Sequence, residues 1–156
     1  MAKIAYSKLG LNKMVNKDPI IIEFNGHEIE VIQYLPIEKK LDLITSIINK
    51  SIDINEYYNP CRVDIFLITE IILAYTNINV TEKQKDDILK FYDSLIESGF
   101  ADIILENIPA KELNYIKNNS IKTISNIYKY RNSALGIFEA ISNDYSNLGS
   151  EAADIQ

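Results

Sequence analysis

The chain has 156 residues, 47% of them hydrophobic, with a net charge of −6, one cysteine and one histidine. A chain of this length can bury a core without metals or disulfides, and a lone cysteine excludes an intrachain disulfide. The negative charge argues against a broad nucleic-acid interface, and the most apolar stretch, residues 65–75, is too short to cross a membrane. We therefore expect an intracellular globular protein that makes no direct contact with nucleic acid or membrane.

Residues 1–19 are predicted to form an N-terminal arm. Gly10 and Pro19 interrupt any helix there, and the apolar side chains follow no sustained period. Such a segment is too polar to be stable alone, so we expect it to become ordered by docking on a neighbour. The candidate partner-binding residues are its apolar side chains: Ile4, Tyr6, Leu9 and Leu11.

Residues 20–35 are predicted to form a β-hairpin. Asn25-Gly26 favours a type I′ turn, because both central positions of that turn need a positive φ angle. It separates strands expected at Ile20–Phe24 and His27–Leu35. An isolated hairpin is marginal in water, so its more apolar face should pack on helices. That face carries Ile29, Val31, Gln33 and Leu35.

Everything after Pro36 is predicted to be helical. Pro36 can open the first helix, whose buried stripe is expected to be Leu41, Ile44, Ile47 and Ile48. Asn59-Pro60 caps and opens the second helix. Because this helix is apolar nearly all round from Val63 to Tyr75, it should be the most buried one, with Cys61 facing the core.

Two further helices are predicted before Pro109. Thr81 to Gln84 has the spacing of a capping box and opens one whose inner face carries Ile88, Phe91, Tyr92, Leu95 and Ile96. Gly99 is expected to end it, and a short helix should follow at Ala101–Asn107.

The longest periodic segment spans residues 110–142. Its weak point is Asn118 to Ser120, where a bend would fall because these side chains compete for backbone hydrogen bonds. Gly136 marks a close approach by another helix or chain, or has no special role. The fold class is thus mainly α (α+β), a bundle of about five helices with an N-terminal hairpin. The expected domains are the arm 1–19, one helical domain 20–145 and a flexible acidic tail 146–156.

The sequence assigns no catalytic, cofactor-binding or metal-binding residue. His27 follows the hairpin turn, where side chains are usually exposed, and the common zinc and nucleophile–histidine sites need more than this one histidine. Asp64 and Glu70 lie about 120° apart around their helix and do not converge on one ion. Each is better explained as pointing to an edge of the core or as pairing with a basic residue such as Arg62 or Arg131. The scattered glycines form no phosphate-binding loop.

A cluster of aromatic and basic residues at Tyr128 to Arg131 could stack nucleotide bases. Helical geometry places Tyr128 and Arg131 on one face and turns Lys129 and Tyr130 away from it. We interpret the cluster as a core tyrosine with a basic rim.

Several segments resemble small proteins of phages and prophages from low-GC Gram-positive bacteria. They are the opening Met-Ala-Lys-Ile-Ala-Tyr-Ser-Lys-Leu-Gly-Leu, Gln33 to Pro36, Thr76 to Ile78 with Thr81 to Lys85, Tyr92-Asp93, and Tyr130 to Ser133. The resemblance implies a gene of the virion-structure or assembly module. An arm, a hairpin and a helical body of this size also resemble tail-assembly chaperones and minor head or tail components.

The first hypothesis is therefore a non-enzymatic phage protein that binds other virion proteins or itself during head or tail morphogenesis. It would work in the cytoplasm of the bacterial host, either free or built into the virion. A second hypothesis is an acidic inhibitor that covers a basic surface of a host defence complex. A third, a small enzyme, has the least support because no group of side chains converges.

Overall fold

The computed structural model describes residues 3–11, 18–52 and 59–142. It confirms a mainly helical fold preceded by a two-stranded antiparallel hairpin. A 3₁₀ turn is followed by strands β1 and β2 and by helices α1 to α7. Their bounds are Tyr6–Leu9 for the 3₁₀ turn, Ile20–Phe24 (β1), His27–Val31 (β2), Ile37–Ser51 (α1), Pro60–Tyr75 (α2), Glu82–Asp86 (α3), Ile88–Glu97 (α4), Phe100–Asn107 (α5), Ala110–Arg131 (α6) and 134–142 (α7).

The contacts divide the chain into two compact units, Met1–Ser120 and Ile121–Gln156. The first unit contains the hairpin, α1 to α5 and the first half of α6. Residues 12–17 of the predicted arm and the whole predicted tail, 146–156, lie outside the described residues. The expected limits of the arm, the single domain and the tail therefore stay predictions.

The hairpin turns at Asn25 and Gly26, whose φ angles of 50° and 77° are those of a type I′ turn. β1 and β2 pair from Phe24 opposite His27 to Ile20 opposite Val31. The prediction that β2 extends to Leu35 is wrong. β2 ends at Val31, because the Ile32 N–H donates to the Tyr75 carbonyl at 2.8 Å. The predicted inner face does pack on the helices, with Val31 and Leu35 buried and Ile29 partly buried against the core.

Helices α1 and α2 pack against each other and supply nearly half of the buried core residues described in the first unit. Pro36 is the residue directly before α1. The Asn59 side chain accepts the Cys61 N–H at 3.0 Å and so caps α2, as predicted. The expected stripe on α1 is partly wrong. Leu41 is 53% exposed, whereas Lys40 and Leu43 are buried. On the buried face, Lys40 forms an ion pair with Glu112.

Helix α2 buries Val63, Leu67 and Ile71, which lie four residues apart on one stripe. Cys61 precedes this stripe by two positions, roughly 200° around the axis, and it is exposed. The prediction that Cys61 faces the core is therefore wrong. Phe66 is only partly buried, and its ring lies 5.4 Å from the Arg62 guanidinium.

The predicted helix after Thr81 is two helices. The capping box is present, with the Gln84 N–H and side chain exchanging hydrogen bonds with Thr81. Asp87, at φ −102° and ψ 58°, then separates α3 from α4. Gly99 has the left-handed φ of 70° that ends α4 and starts α5, as predicted.

Every residue from Asn118 to Ser120 is helical, so no break in α6 falls there. The Asn119 side chain donates to the Tyr115 carbonyl at 2.6 Å, which occupies it without breaking the helix. In the first unit, the buried positions of α6 recur every four residues, at Glu112, Ile116 and Ser120.

In the second unit, α6 ends at Arg131 and α7 begins at residue 134. Ser133 makes this break, because its hydroxyl donates to the Tyr130 carbonyl at 2.6 Å and accepts the Gly136 N–H at 3.2 Å. Gly136 is a site of close approach. A Cβ there would lie 2.3 Å from the Tyr130 carbonyl oxygen, so the neighbour is the end of α6.

Candidate functional site

The described part of the arm presents all of its side chains to solvent. Residues 3–11 are exposed throughout, and they form one 3₁₀ turn followed by Gly10 in the left-handed region. The predicted partner-binding residues Ile4, Tyr6, Leu9 and Leu11 are 70%, 67%, 45% and 43% exposed. The sequence prediction thus concerns side chains that are accessible to a neighbour.

The charge of this arm is basic, although the whole chain is acidic. Residues 3–11 contain Lys3 and Lys8 and no acidic residue. A neighbour that covers the apolar side chains would therefore also meet two positive charges, and an acidic surface would suit it best.

The hairpin offers such an acidic surface. Alternation along the strands places Ile21, Glu23, Glu28 and Glu30 on the face turned away from the core, and all four are exposed. Glu23 lies directly opposite Glu28 in the register. Two like charges in that position repel each other, so a cation brought to this face would stabilise it.

The two edges of the hairpin differ. On the outer edge of β2, the Glu30 N–H donates to the Asn77 side chain at 3.2 Å, and Val31 forms a bridge with Thr76. On the outer edge of β1, no strand pairing occurs among the residues that the structure describes. An uncovered edge strand can pair with a strand from another chain.

A buried ion pair fixes the platform beneath the hairpin. Glu112, in the first turn of α6, is 6% exposed, and its carboxylate accepts three hydrogen bonds. The donors are the Leu35 N–H at 3.0 Å, the Lys40 ammonium at 2.6 Å and the Tyr75 hydroxyl at 2.9 Å. One carboxylate thus connects the loop after β2, α1, α2 and α6.

These contacts shift the pKa values of Glu112 and Tyr75 in opposite directions. Burial by itself would raise the pKa of the Glu112 carboxyl, but the hydrogen bonds from Leu35, Lys40 and Tyr75 hold that pKa below its ordinary value. Burial and the bond to Glu112 raise the pKa of the Tyr75 phenol. The Lys40 ammonium also lies 4.7 Å from the Tyr34 ring centre and 5.6 Å from that of Tyr115. The cluster is internally satisfied, which suits a structural role.

Sequence reasoning missed this cluster. Glu112 and Lys40 lie 72 positions apart and resemble any pair of solvated charges along their helices. The available signal was weak. Glu112 follows Pro109 in a first helical turn, where the helix dipole favours a carboxylate.

The other acidic residues singled out from the sequence do not come together. Glu70 accepts hydrogen bonds from Ser46 at 2.8 Å and Lys50 at 2.7 Å, while Asp64 is exposed. Glu70 thus pairs with a basic residue as predicted, and that residue is Lys50. Within residues 3–11, 18–52 and 59–142, no group of three histidine, cysteine or acidic side chains could hold a metal ion.

A groove of about 450 Å³ lies between α1 and α2, with Leu43 and Leu73 in its walls and Glu70 at its rim. The Glu70 carboxylate in its lining already binds Lys50 and Ser46, and Lys39 and Asp42 also line the groove. His27 is exposed beside the turn, as expected.

The second unit carries a separate apolar surface on α7. Leu135, Ile137, Phe138 and Ile141 are all at least half exposed, with Phe138 at 69%. Tyr128 is exposed as well, so the interpretation of this tyrosine as a core residue is wrong. Large exposed apolar patches on globular proteins commonly mark interaction sites.

Comparison of the chain with protein-family models, with curated proteins and with solved structures finds no match. None of the helices that the structure describes is long and apolar enough to cross a membrane.

Proposed function

We propose that this protein is a non-enzymatic phage structural or assembly protein that acts by binding copies of itself or other virion proteins during head or tail morphogenesis. The observation that carries the proposal is the arm, where four large apolar side chains are exposed on a segment with almost no structure of its own. A segment of this kind gains order and buries its apolar surface only on a partner.

The surface of α7 supports the same role. Its four large apolar side chains lie on one short helix, which adds a second candidate contact region in the second unit. A protein that joins neighbours in an assembly needs at least two binding surfaces, and the arm and α7 are suited to provide them.

The assignment to a phage depends on the sequence segments described above, from the opening Met1 to Leu11 to the stretch Tyr130 to Ser133. The proposed location is the cytoplasm of the bacterial host, with the protein either free or incorporated in the virion. No cofactor is part of the proposal.

The experiment is a binding measurement on a variant of the arm. Replacing Ile4, Tyr6, Leu9 and Leu11 together by serine should leave the helical circular dichroism and the melting temperature unchanged. It should weaken binding to itself or to purified virion proteins at least about tenfold, because each apolar side chain contributes burial energy. Sedimentation velocity and a pull-down with the virion proteins measure this.

The matched control replaces Ile37 and Leu41, two equally exposed side chains of α1, by serine. This control should bind as the wild type does. If the arm variant and the control show the same association with every virion protein, the arm does not bind a partner and the proposed function is wrong.

One observation favours a second candidate, an acidic inhibitor of a host defence complex. The hairpin face with Glu23, Glu28 and Glu30 would suit a basic target surface. Under this alternative, the protein stays monomeric, and charge reversal on the hairpin abolishes inhibition of the host complex. Ordered oligomers that depend on the arm would favour the assembly role.

A further inference from the structure

We propose that the outer edge of β1 is a docking site for residues 3–7 of a second copy of this chain, which add to the hairpin as a third strand. The inference rests on the proposed function, since it names the partner of the arm. It follows from the open backbone groups of β1, the acidic face beside them and the basic, apolar character of the arm.

The hydrogen-bond pattern shows which backbone groups are open. In a hairpin with a two-residue turn, the residues that flank the turn bond to each other, and bonded pairs alternate with non-bonded pairs along the ladder. Phe24, Ile22 and Ile20 therefore bond to β2, whereas Ile21 and Glu23 point their N–H and C=O groups outward. The Glu30 N–H, opposite Ile21, confirms this phase, because it donates away from β1 to Asn77.

Among the described residues, cover lies on one edge of the hairpin and not on the other. The outer edge of β2 is occupied by Tyr75 and Asn77, whose oxygens accept the N–H groups of Ile32 and Glu30. The outer edge of β1 has no such cover among the described residues. Ile20 and Ile21 on this strand are also exposed, which leaves apolar surface beside the open backbone groups.

The charges on the hairpin select the kind of strand that can bind. If β1 paired with β1 of another copy, the acidic faces with Glu23, Glu28 and Glu30 would form one continuous surface, and their like charges would repel. The glutamates thus protect the edge against pairing with itself. A strand that brings positive charge does not meet this obstacle.

The arm has the required chemistry. When residues 3–7 are extended, Ile4 and Tyr6 point to one side and Lys3 to the other. In an added strand, Ile4 and Tyr6 would extend the apolar side that carries Ile20 and Ile22. Lys3 would lie on the side of the glutamates, with Lys8 just beyond the strand. Extending the arm requires the exposed 3₁₀ turn at Tyr6–Leu9 to unfold, and this turn buries no side chain.

The first test removes one outward N–H without touching the ladder. Ile21→Pro deletes the donor that faces away from β2, a position where an edge strand tolerates proline. The matched control Ile21→Val keeps the donor. By sedimentation velocity on the full chain, self-association should weaken by up to about tenfold in Ile21→Pro, because the docked strand loses a backbone hydrogen bond at this position. Ile21→Val should stay within about threefold of the wild type.

The second test exchanges the charges and does not depend on whether the proline variant folds. One variant carries Lys3→Glu and Lys8→Glu, and the other carries Glu23→Lys and Glu28→Lys. Each alone places like charges on arm and edge, so each should self-associate at least about tenfold more weakly than the wild type. An equimolar mixture should recover the association, since every arm then meets an edge of opposite charge.

The results separate this inference from the proposed function. Full self-association in each charge variant alone, or no recovery in the mixture, would overturn the β1 docking site, as would a wild type that stays monomeric. In those cases the proposed function still stands if the serine variant of the arm loses binding to virion proteins. It falls only if that variant binds every virion protein as the control does.

Discussion

The Tyr75 hydroxyl, near the end of α2, donates a 2.9 Å hydrogen bond to the carboxylate of Glu112, 37 positions further along the chain. The Tyr75 side chain is fully buried, and the same carboxylate oxygen accepts the Leu35 N–H at 3.0 Å. The other oxygen binds Lys40 at 2.6 Å. Since each polar group in this part of the core satisfies another, loss of one leaves a buried partner unpaired.

Glu112→Gln should destabilise the protein by about 3–5 kcal/mol, because it leaves the buried Lys40 ammonium without its counter-charge. Urea unfolding followed by circular dichroism measures the loss. Glu106→Gln, an exposed change nearby on α5, is the control and should cost less than about 0.5 kcal/mol. Equal stability of the two variants would mean that the ion pair does not hold the fold together.

The stability should fall in acid as Glu112 is protonated. The pKa of this carboxyl is lower in the folded protein than the usual value of 4.5. Its contribution is therefore fully present above that value and is lost as the pH falls below it. Urea unfolding at a series of pH values between neutral and acid should show a steeper loss for the wild type than for Glu112→Gln. Parallel curves would contradict the assignment.

Leu67→Ala should cost about 2–5 kcal/mol, because Leu67 lies on the buried stripe of α2 and its truncation leaves a cavity. Leu41→Ala on α1 is the matched control. Since Leu41 is 53% exposed, its truncation should cost less than about 1 kcal/mol. Thermal and urea unfolding of both variants compare them directly. A large loss from Leu41→Ala would instead restore the stripe predicted from the sequence.

Gly136→Ala should weaken the junction of α6 and α7, although alanine favours helices by about 1 kcal/mol. The added Cβ would lie 2.3 Å from the Tyr130 carbonyl oxygen and 3.1 Å from the Arg131 Cα, both backbone atoms that cannot move freely. Hydrogen exchange at the Ile137 N–H, which donates to the Ser133 carbonyl at 3.0 Å, reports on the junction. Exchange there should be faster in Gly136→Ala.

Ala140→Gly controls for helix propensity in α7. It lowers the propensity of an exposed position without creating a clash, so it should loosen the helix only slightly. Slower exchange at Ile137 in Gly136→Ala than in the wild type would show that the close approach to Tyr130 does not limit this position.

Some features of the candidate site could be predicted from neighbouring residues in the sequence, and others depend on residues far apart in the chain. The arm residues could be selected from the sequence, because apolar side chains without a period and with helix breakers are a local pattern. The open edge of β1 could not be selected, since it depends on Tyr75 and Asn77 covering the other edge of the hairpin. The glutamate face follows from the register, which the turn at Asn25-Gly26 sets.

The sequence by itself determined the features that neighbouring residues decide. Asn25-Gly26 specified the turn, Thr81 with Gln84 the start of α3, and Gly99 the end of α4, because each depends on backbone conformation or hydrogen bonds within a few residues. The tertiary structure alone decided which face of α1 is buried. The buried Lys40 ammonium binds the carboxylate of Glu112, 72 positions away. A contact between residues so far apart cannot be predicted from the local pattern of the sequence.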